Sequence, residues 1–317
     1  MLTSLTPPPS ALNDVLPTKR LLPNGMLRPE LRRPLRRIPN LRNALSVALL
    51  WTSVAVLIAA ATHLHRWWIV LIVFVLMGPV HVRLAILMHE AAHRLLFTSK
   101  SINDRVGTWL IASPALVPLS LYRRSHMAHH REEFGPDEPD IAFYSGYPGP
   151  AAALRRRLLR DAAGISGWKN LKVLLTALGS TSGRKIAVPI VSIQLGLWAL
   201  MWVLSGAWWA YPLLWLLPWM TQWRVLNRLR ALGEHGGMIA ADDRRLTTHN
   251  VAQHPLARFW FVPYNTGWHL AHHVDMGLPF RQLPRFHAEL EAAGYVNADM
   301  TFSSYRALWR ACVIPGI

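Results

Sequence analysis

The chain has 317 residues, 52% of them hydrophobic and only 16% charged, with 15 Trp and a formal charge of +17. Soluble domains carry about 25% charged residues, so this composition argues against an ordinary soluble protein and for a surface that faces lipid. The basic residues flank apolar runs and form no DNA- or RNA-reading motif, so the expected partners are anionic membrane lipids and not nucleic acid. The single cysteine, Cys312, excludes an internal disulfide and any Cys-based zinc or iron–sulfur site, which leaves 15 His as the abundant metal-capable residues.

Residues 1–40 contain "TPPPSALNDVLPTKRLLPNG" and "RPELRRPLRRIPN". Proline and arginine dominate there, which predicts a basic, largely disordered arm. Four apolar runs follow: Ala44 to Thr62, Trp67 to Met88, Ile186 to Leu204 and Trp208 to Trp223. Each is near the 17–25 residues that span a bilayer. The connections "HLHRW" and "SGA" join them as two tight hairpins. A fifth run, Gly107 to Leu121, holds Pro114 and Pro118 and reads as a re-entrant or interfacial segment. "ALRRRLLRDAAG" and "WKNLKVLLTAL" read as basic amphipathic helices on the membrane surface. Lys and Arg crowd the N-terminal arm and the stretch between the hairpins but not the hairpin loops, which predicts cytosolic termini. The expected fold is an all-α integral membrane protein, with four transmembrane helices in two hairpins and a cytosolic helical cap. Residues 41–295 form the expected membrane domain and 296–317 a C-terminal tail.

Nine histidines fall in groups at the cytosolic ends of these runs. His89 and His93 lie in "HEAAH", one helical turn apart on one face. His126, His129 and His130 lie in "HMAHH", and His269, His272 and His273 in "HLAHH". Positions i, i+3 and i+4 share an arc of roughly 100° on a helix, so each triplet can aim at one centre. His235, in "LGEHGG", stands alone after the fourth run. Eight or nine imidazoles exceed what one metal uses; two metals with four or five each fit the number. Imidazole suits iron, copper, nickel or zinc, so the ligand type leaves the metal open. His81 is expected to hydrogen-bond a neighbouring helix.

These three boxes, with "DEPD" after the second, resemble the membrane fatty-acid desaturase and hydroxylase superfamily over most of residues 40–295. The resemblance implies two iron ions held by His89, His93, His126, His129, His130, His269, His272 and His273. It adds His235 as the extra histidine of the acyl desaturases; the asparagine that some of them carry one turn earlier is Ala231 here. It implies O2 as co-substrate, attack on an unactivated C–H bond of a hydrophobic acyl chain, and a separate electron donor, such as a ferredoxin with its reductase. Carboxylates should orient the imidazoles; Glu90, Glu234, Asp137, Asp140 and Asp275 are candidates by proximity in sequence. Trp109, Trp219 and Trp268 are candidates to line a substrate tunnel.

The favoured activity is fatty-acyl desaturation. Hydroxylation or ketolation of lipid, alkane or carotenoid on the same scaffold is the alternative. An intramembrane zinc protease would use His89, His93 and Glu90, but it leaves the other two histidine boxes unexplained. A non-enzymatic membrane binder is the remaining possibility. The expected location is a bacterial inner membrane, with the active site on the cytosolic side; an endoplasmic-reticulum address is the alternative.

Overall fold

The computed structural model describes residues 4–314. It divides into two compact units, each built from separate pieces of the chain. One comprises Pro39–Arg123 and Arg156–Asn227; the other comprises residues up to Ile38, Arg124–Arg155 and residues from Arg228 on.

The first unit holds three helices long and apolar enough to cross a membrane: Asn40–His63, Trp67–Ala92 and Thr181–Ser205. Helix Asn40–His63 buries Val47, Leu50, Val54, Ile58 and Ala61, a three-and-four spacing that forms one stripe. Leu41, Leu45, Leu49 and Val56 are exposed on its other faces. Only 22% of the most apolar window of Thr181–Ser205 is covered by the rest of the protein. Such a fully apolar yet uncovered helix suits a hydrocarbon surround, not water. The ends carry ordinary signals: Ser180 caps the third helix by accepting from the Gly183 N–H at 3.0 Å, and Gly206 terminates it with a φ of 69°.

The fourth expected span, Trp208 to Trp223, is not one regular helix. A π-helical segment, Pro212–Leu216, leads into a short helix, Leu217–Met220, and a new helix, Gln222–His235, starts after Thr221. Pro212 and Pro218 have no N–H, and a widened turn leaves carbonyls that other groups must satisfy. The Trp215 carbonyl is one of them, and the His81 Nε2 lies 3.0 Å from it, the inter-helix bond expected for that histidine. The fifth apolar run is broken as its prolines require. Helix Lys100–Val106 continues as a π-helical segment, Gly107–Ala112, which stops before Pro114; helix Leu119–Glu132 starts after Pro118. The two basic amphipathic stretches form helices Ala151–Ala162 and Ile165–Ala177.

The second unit includes packed residues from the arm expected to be largely disordered and from the C-terminal tail. Within the arm, Leu5, Ala11, Leu21, Leu27 and Leu35 are buried, and Pro29–Leu35 is helical. The apolar residues interleaved among the prolines hold the segment down, although its polar and proline content alone favours disorder. From Val296 to Ile314 the chain contributes Phe302, Tyr305, Leu308 and Cys312 to a core shared with Leu5, Val251 and Val262. Those residues therefore belong to the unit's interior; residues 1–3 and 315–317 of the expected arm and tail lie outside the described residues. Among the described residues, the unit's helices are joined by irregular stretches, an antiparallel bridge between Leu21 and Leu27, and two parallel two-residue strand pairs, Gly149–Pro150 with Val313–Ile314 and Asn250–Val251 with Thr301–Phe302.

Candidate metal centre

Seven of the nine predicted histidines come together inside the second unit. Helix Leu119–Glu132 ends with His126, His129 and His130, helix Gln222–His235 ends on His235, and the six-residue helix His269–Val274 carries His269, His272 and His273. All seven side chains are buried. The ring nitrogens of His129, His235 and His273 lie within 4.8 Å of one another, and so do those of His126, His130 and His272. The Nε2 of His130 is 3.1 Å from the Nε2 of both His126 and His272. The Nε2 of His269 is 3.1 Å from that of His235 and 3.0 Å from that of His273. In the first unit His89 and His93 form their own pair, with ring centroids 4.7 Å apart; His89 belongs to helix Trp67–Ala92 and His93 lies just beyond its end.

The opposite edges of these rings are already engaged. His129 donates its Nδ1 proton to Glu138 at 2.9 Å, His273 its own to Glu133 at 2.5 Å, and His235 its own to the Thr247 carbonyl at 2.8 Å. A proton on Nδ1 fixes the tautomer and leaves the Nε2 lone pair bare. The His235 and His273 lone pairs thus both face the His269 Nε2, which has at most one proton to offer. Lone pairs packed this closely repel unless a cation sits among them. At a metal–nitrogen bond of about 2.1 Å, two ligands at right angles are about 3.0 Å apart, which matches the observed spacings. The donor set therefore fits histidine-bound metal ions, and the two nitrogen groups fit a pair.

Electrostatics favour the metal-binding form. Burial, reinforced by the neighbouring imidazoles, holds His235 and His269 well below the ordinary histidine range, and burial also lowers His273 against the pull of Glu133. Neutral imidazole is the form that offers a lone pair. His129 differs: burial lowers it, but the Glu138 hydrogen bond and the charges of Glu138, Asp140 and Glu133 together raise it.

Two carboxylates outside the predicted candidates engage the rings directly. Glu133 and Glu138 take the Nδ1 protons, and Arg244 holds Glu133 while donating to the His130 carbonyl at 3.1 Å. Tyr144, also buried, lies with its hydroxyl 3.5 Å from the His129 Nδ1. Of the predicted candidates, Glu234 pairs with Arg230 at 2.9 Å and stands 3.6 Å from the His269 Nδ1. Asp140 belongs to a group with His129 and Glu138. Asp275 pairs with Arg32 instead, Asp137 is exposed, and Glu90 is buried in the first unit. Trp219 is engaged in packing, its indole N–H donating to the Ala115 carbonyl at 2.8 Å.

Comparison with known proteins agrees with this geometry. The chain is similar to the dihydrorhizobitoxine desaturase of Bradyrhizobium elkanii, with 26% identity over 237 residues, 69% of this chain and 67% of that protein. It is 34% identical over 98 residues to the Delta(12) fatty acid desaturases of Mortierella isabellina and Mortierella alpina, a match that spans 29% of this chain and 24% of either relative. The model of the fatty acid desaturase family matches residues 65–305, which include all nine histidines, and the chain belongs to that family of oxidoreductases.

Proposed function

We propose that this protein is a membrane-bound, O2-dependent di-iron desaturase that inserts a C=C bond into a fatty-acyl chain. The observation that carries the reading is the burial of seven histidines, six of them with Nε2 atoms 3.0–3.1 Å from a neighbour's and three of them with Nδ1 given to a carboxylate or carbonyl. His126, His129, His130, His235, His269, His272 and His273 would hold the metals, and the HEAAH motif assigns His89 and His93 to the same ligand set. The irons would supply O2 activation and the oxidising power to take hydrogen from an unactivated C–H bond. The reaction balances as one CH2–CH2 unit, one O2, two electrons and two protons giving one CH=CH unit and two waters. The chain's own part is to keep His235, His269 and His273 neutral, aim the rings through Glu133, Glu138 and Thr247, and exclude bulk water by burial. The electrons come from a separate carrier of the ferredoxin type with its reductase, and the basic arm would suit an acidic one.

In this reading the protein lies in a bacterial inner membrane, with both termini and the metal centre on the cytosolic side. The stretch Trp208 to Trp223 forms a fourth, broken crossing. A broken helix is tolerated in a membrane where side chains satisfy the freed backbone groups, as the His81 ring does for Trp215.

A second reading, desaturation of a non-lipid molecule related to dihydrorhizobitoxine, is favoured by the relative of that name and by a cavity of about 710 Å3 in the second unit. That cavity has both charged and apolar walls and reaches His130 and His273. Mass spectrometry of lipids from cells with and without the gene decides. Acyl chains lighter by two hydrogens support the first reading. Unchanged lipids with a small metabolite lighter by two hydrogens support the second. A gain of one oxygen without new unsaturation moves the protein to the hydroxylases.

A further inference from the structure

The helix His269–Val274 supplies three of the proposed ligands in only six residues. A helix that short is not stable alone, and no side chain caps its N-terminus. Something else must fix the direction in which His272 and His273 point. The second unit places the N-terminal arm at the helix's C-terminal end. Asp275 follows the helix directly, and its backbone N–H donates to the Ala271 carbonyl at 3.0 Å. The Asp275 carboxylate is almost fully buried, with 1% of its side chain exposed. Arg32, on the arm helix Pro29–Leu35, donates Nε to Oδ2 at 2.6 Å and Nη2 to Oδ1 at 2.7 Å. Two parallel bonds of this kind fix direction as well as distance.

Two glycines show how closely this seat is built. A Cβ added at Gly277 would stand 2.7 Å from the Arg32 Nη2 and 3.2 Å from the Asp275 Oδ1, so only a residue without a side chain leaves room for the guanidinium. On the arm, Gly25 has a φ of 79°, and a Cβ there would stand 3.0 Å from Val274, the last residue of the histidine helix. The arm therefore meets the end of that helix at two places, one apolar and one ionic. Between them opens the cavity that has Met26, Arg32, His130, His273 and Asp275 in its walls.

We infer that Arg32 is a positioning residue of the metal centre: through its paired bonds to Asp275 it holds the helix that aims His272 and His273. It acts through Asp275 and is not itself one of the proposed ligands; its role is to keep the end of a marginal helix from fraying. This rests on the di-iron reading for its consequence in catalysis, but the positioning itself is a property of the metal-free chain.

The test compares wild type, Arg32→Gln, Gly277→Ala and the exchange pair Arg32→Asp with Asp275→Arg, all in detergent. Hydrogen–deuterium exchange of the metal-free protein is read first. In Arg32→Gln and Gly277→Ala, amides 271–277 should exchange at least tenfold faster, with amides 126–133 unchanged; the exchange pair should return toward wild type. The second readout is iron loss to a chelator, which should be severalfold faster in the two single variants, with KM for the acyl substrate unchanged and kcat lowered. Wild-type exchange rates at 271–277 in Arg32→Gln overturn the inference, as does faster exchange across the whole unit, which would mark a purely global role. Wild-type protein that binds no iron would sink the di-iron reading, while the exchange data would still decide the role of Arg32.

Discussion

Each imidazole of the cluster has two nitrogens, and the structure gives them different work. The Nε2 atoms of His235, His269 and His273 face one another, while the Nδ1 protons of His129 and His273 are held by carboxylates that burial and pairing keep in place. Removing such a partner leaves the ligand present but free to turn, which typically weakens metal binding 10- to 100-fold. Glu138→Ala and Glu133→Gln should each lower the iron retained through purification and speed its loss to a chelator within that range, with the histidines intact; wild-type iron content in both would contradict the assignment. The histidines themselves were legible, because i, i+3, i+4 spacing is a local property of one helix. Their supports were not. Glu133 lies three residues from His130 but bonds to His273, 140 positions away, and Thr247 acts through a backbone carbonyl that no side-chain pattern reveals.

At the scale of elements, apolar run length located the three helices long and apolar enough to cross a membrane, with ends within a few residues of the runs. It could not show the π-helical turns at Gly107–Ala112 and Pro212–Leu216, because hydropathy does not record which carbonyl goes without an N–H. The end of helix Trp67–Ala92, which carries His89, depends on such partners. Asn103 is fully buried; its side chain accepts from the Leu96 and Phe97 N–H groups at 3.2 and 3.3 Å and donates to the Ala91 carbonyl at 2.9 Å. Arg123 donates to the carbonyls of Ala91 and Ala92 at 3.0 and 2.9 Å. Leaving buried backbone groups unpaired costs about 1–3 kcal/mol each. Asn103→Ala leaves the Leu96 and Phe97 N–H groups unpaired and should therefore lower stability by about 2–6 kcal/mol, seen as a fall of several degrees in the unfolding temperature in detergent. An unchanged midpoint would mean that the loop after His93 finds other partners.

For the whole molecule, the arm is where composition says least. Its prolines and arginines predict disorder, whereas Leu21 and Leu27, which pair across an antiparallel bridge, are buried. The proposed orientation in the membrane rests on charge alone and can be checked with single cysteines, since Cys312 is fully buried and gives little background. His65→Cys, in the first hairpin loop, should react with a membrane-impermeant maleimide added to intact spheroplasts. Lys19→Cys should react only after the membrane is opened. The reverse pattern would invert the topology.

The account stands on imidazoles from distant parts of the chain sharing one pair of metals, so metal analysis of the purified wild-type protein, expressed with iron supplied, tests it most directly. Two irons per chain, lost together when His272 is replaced by alanine, is the predicted result. A folded protein that retains one zinc, or no metal at all, would contradict it.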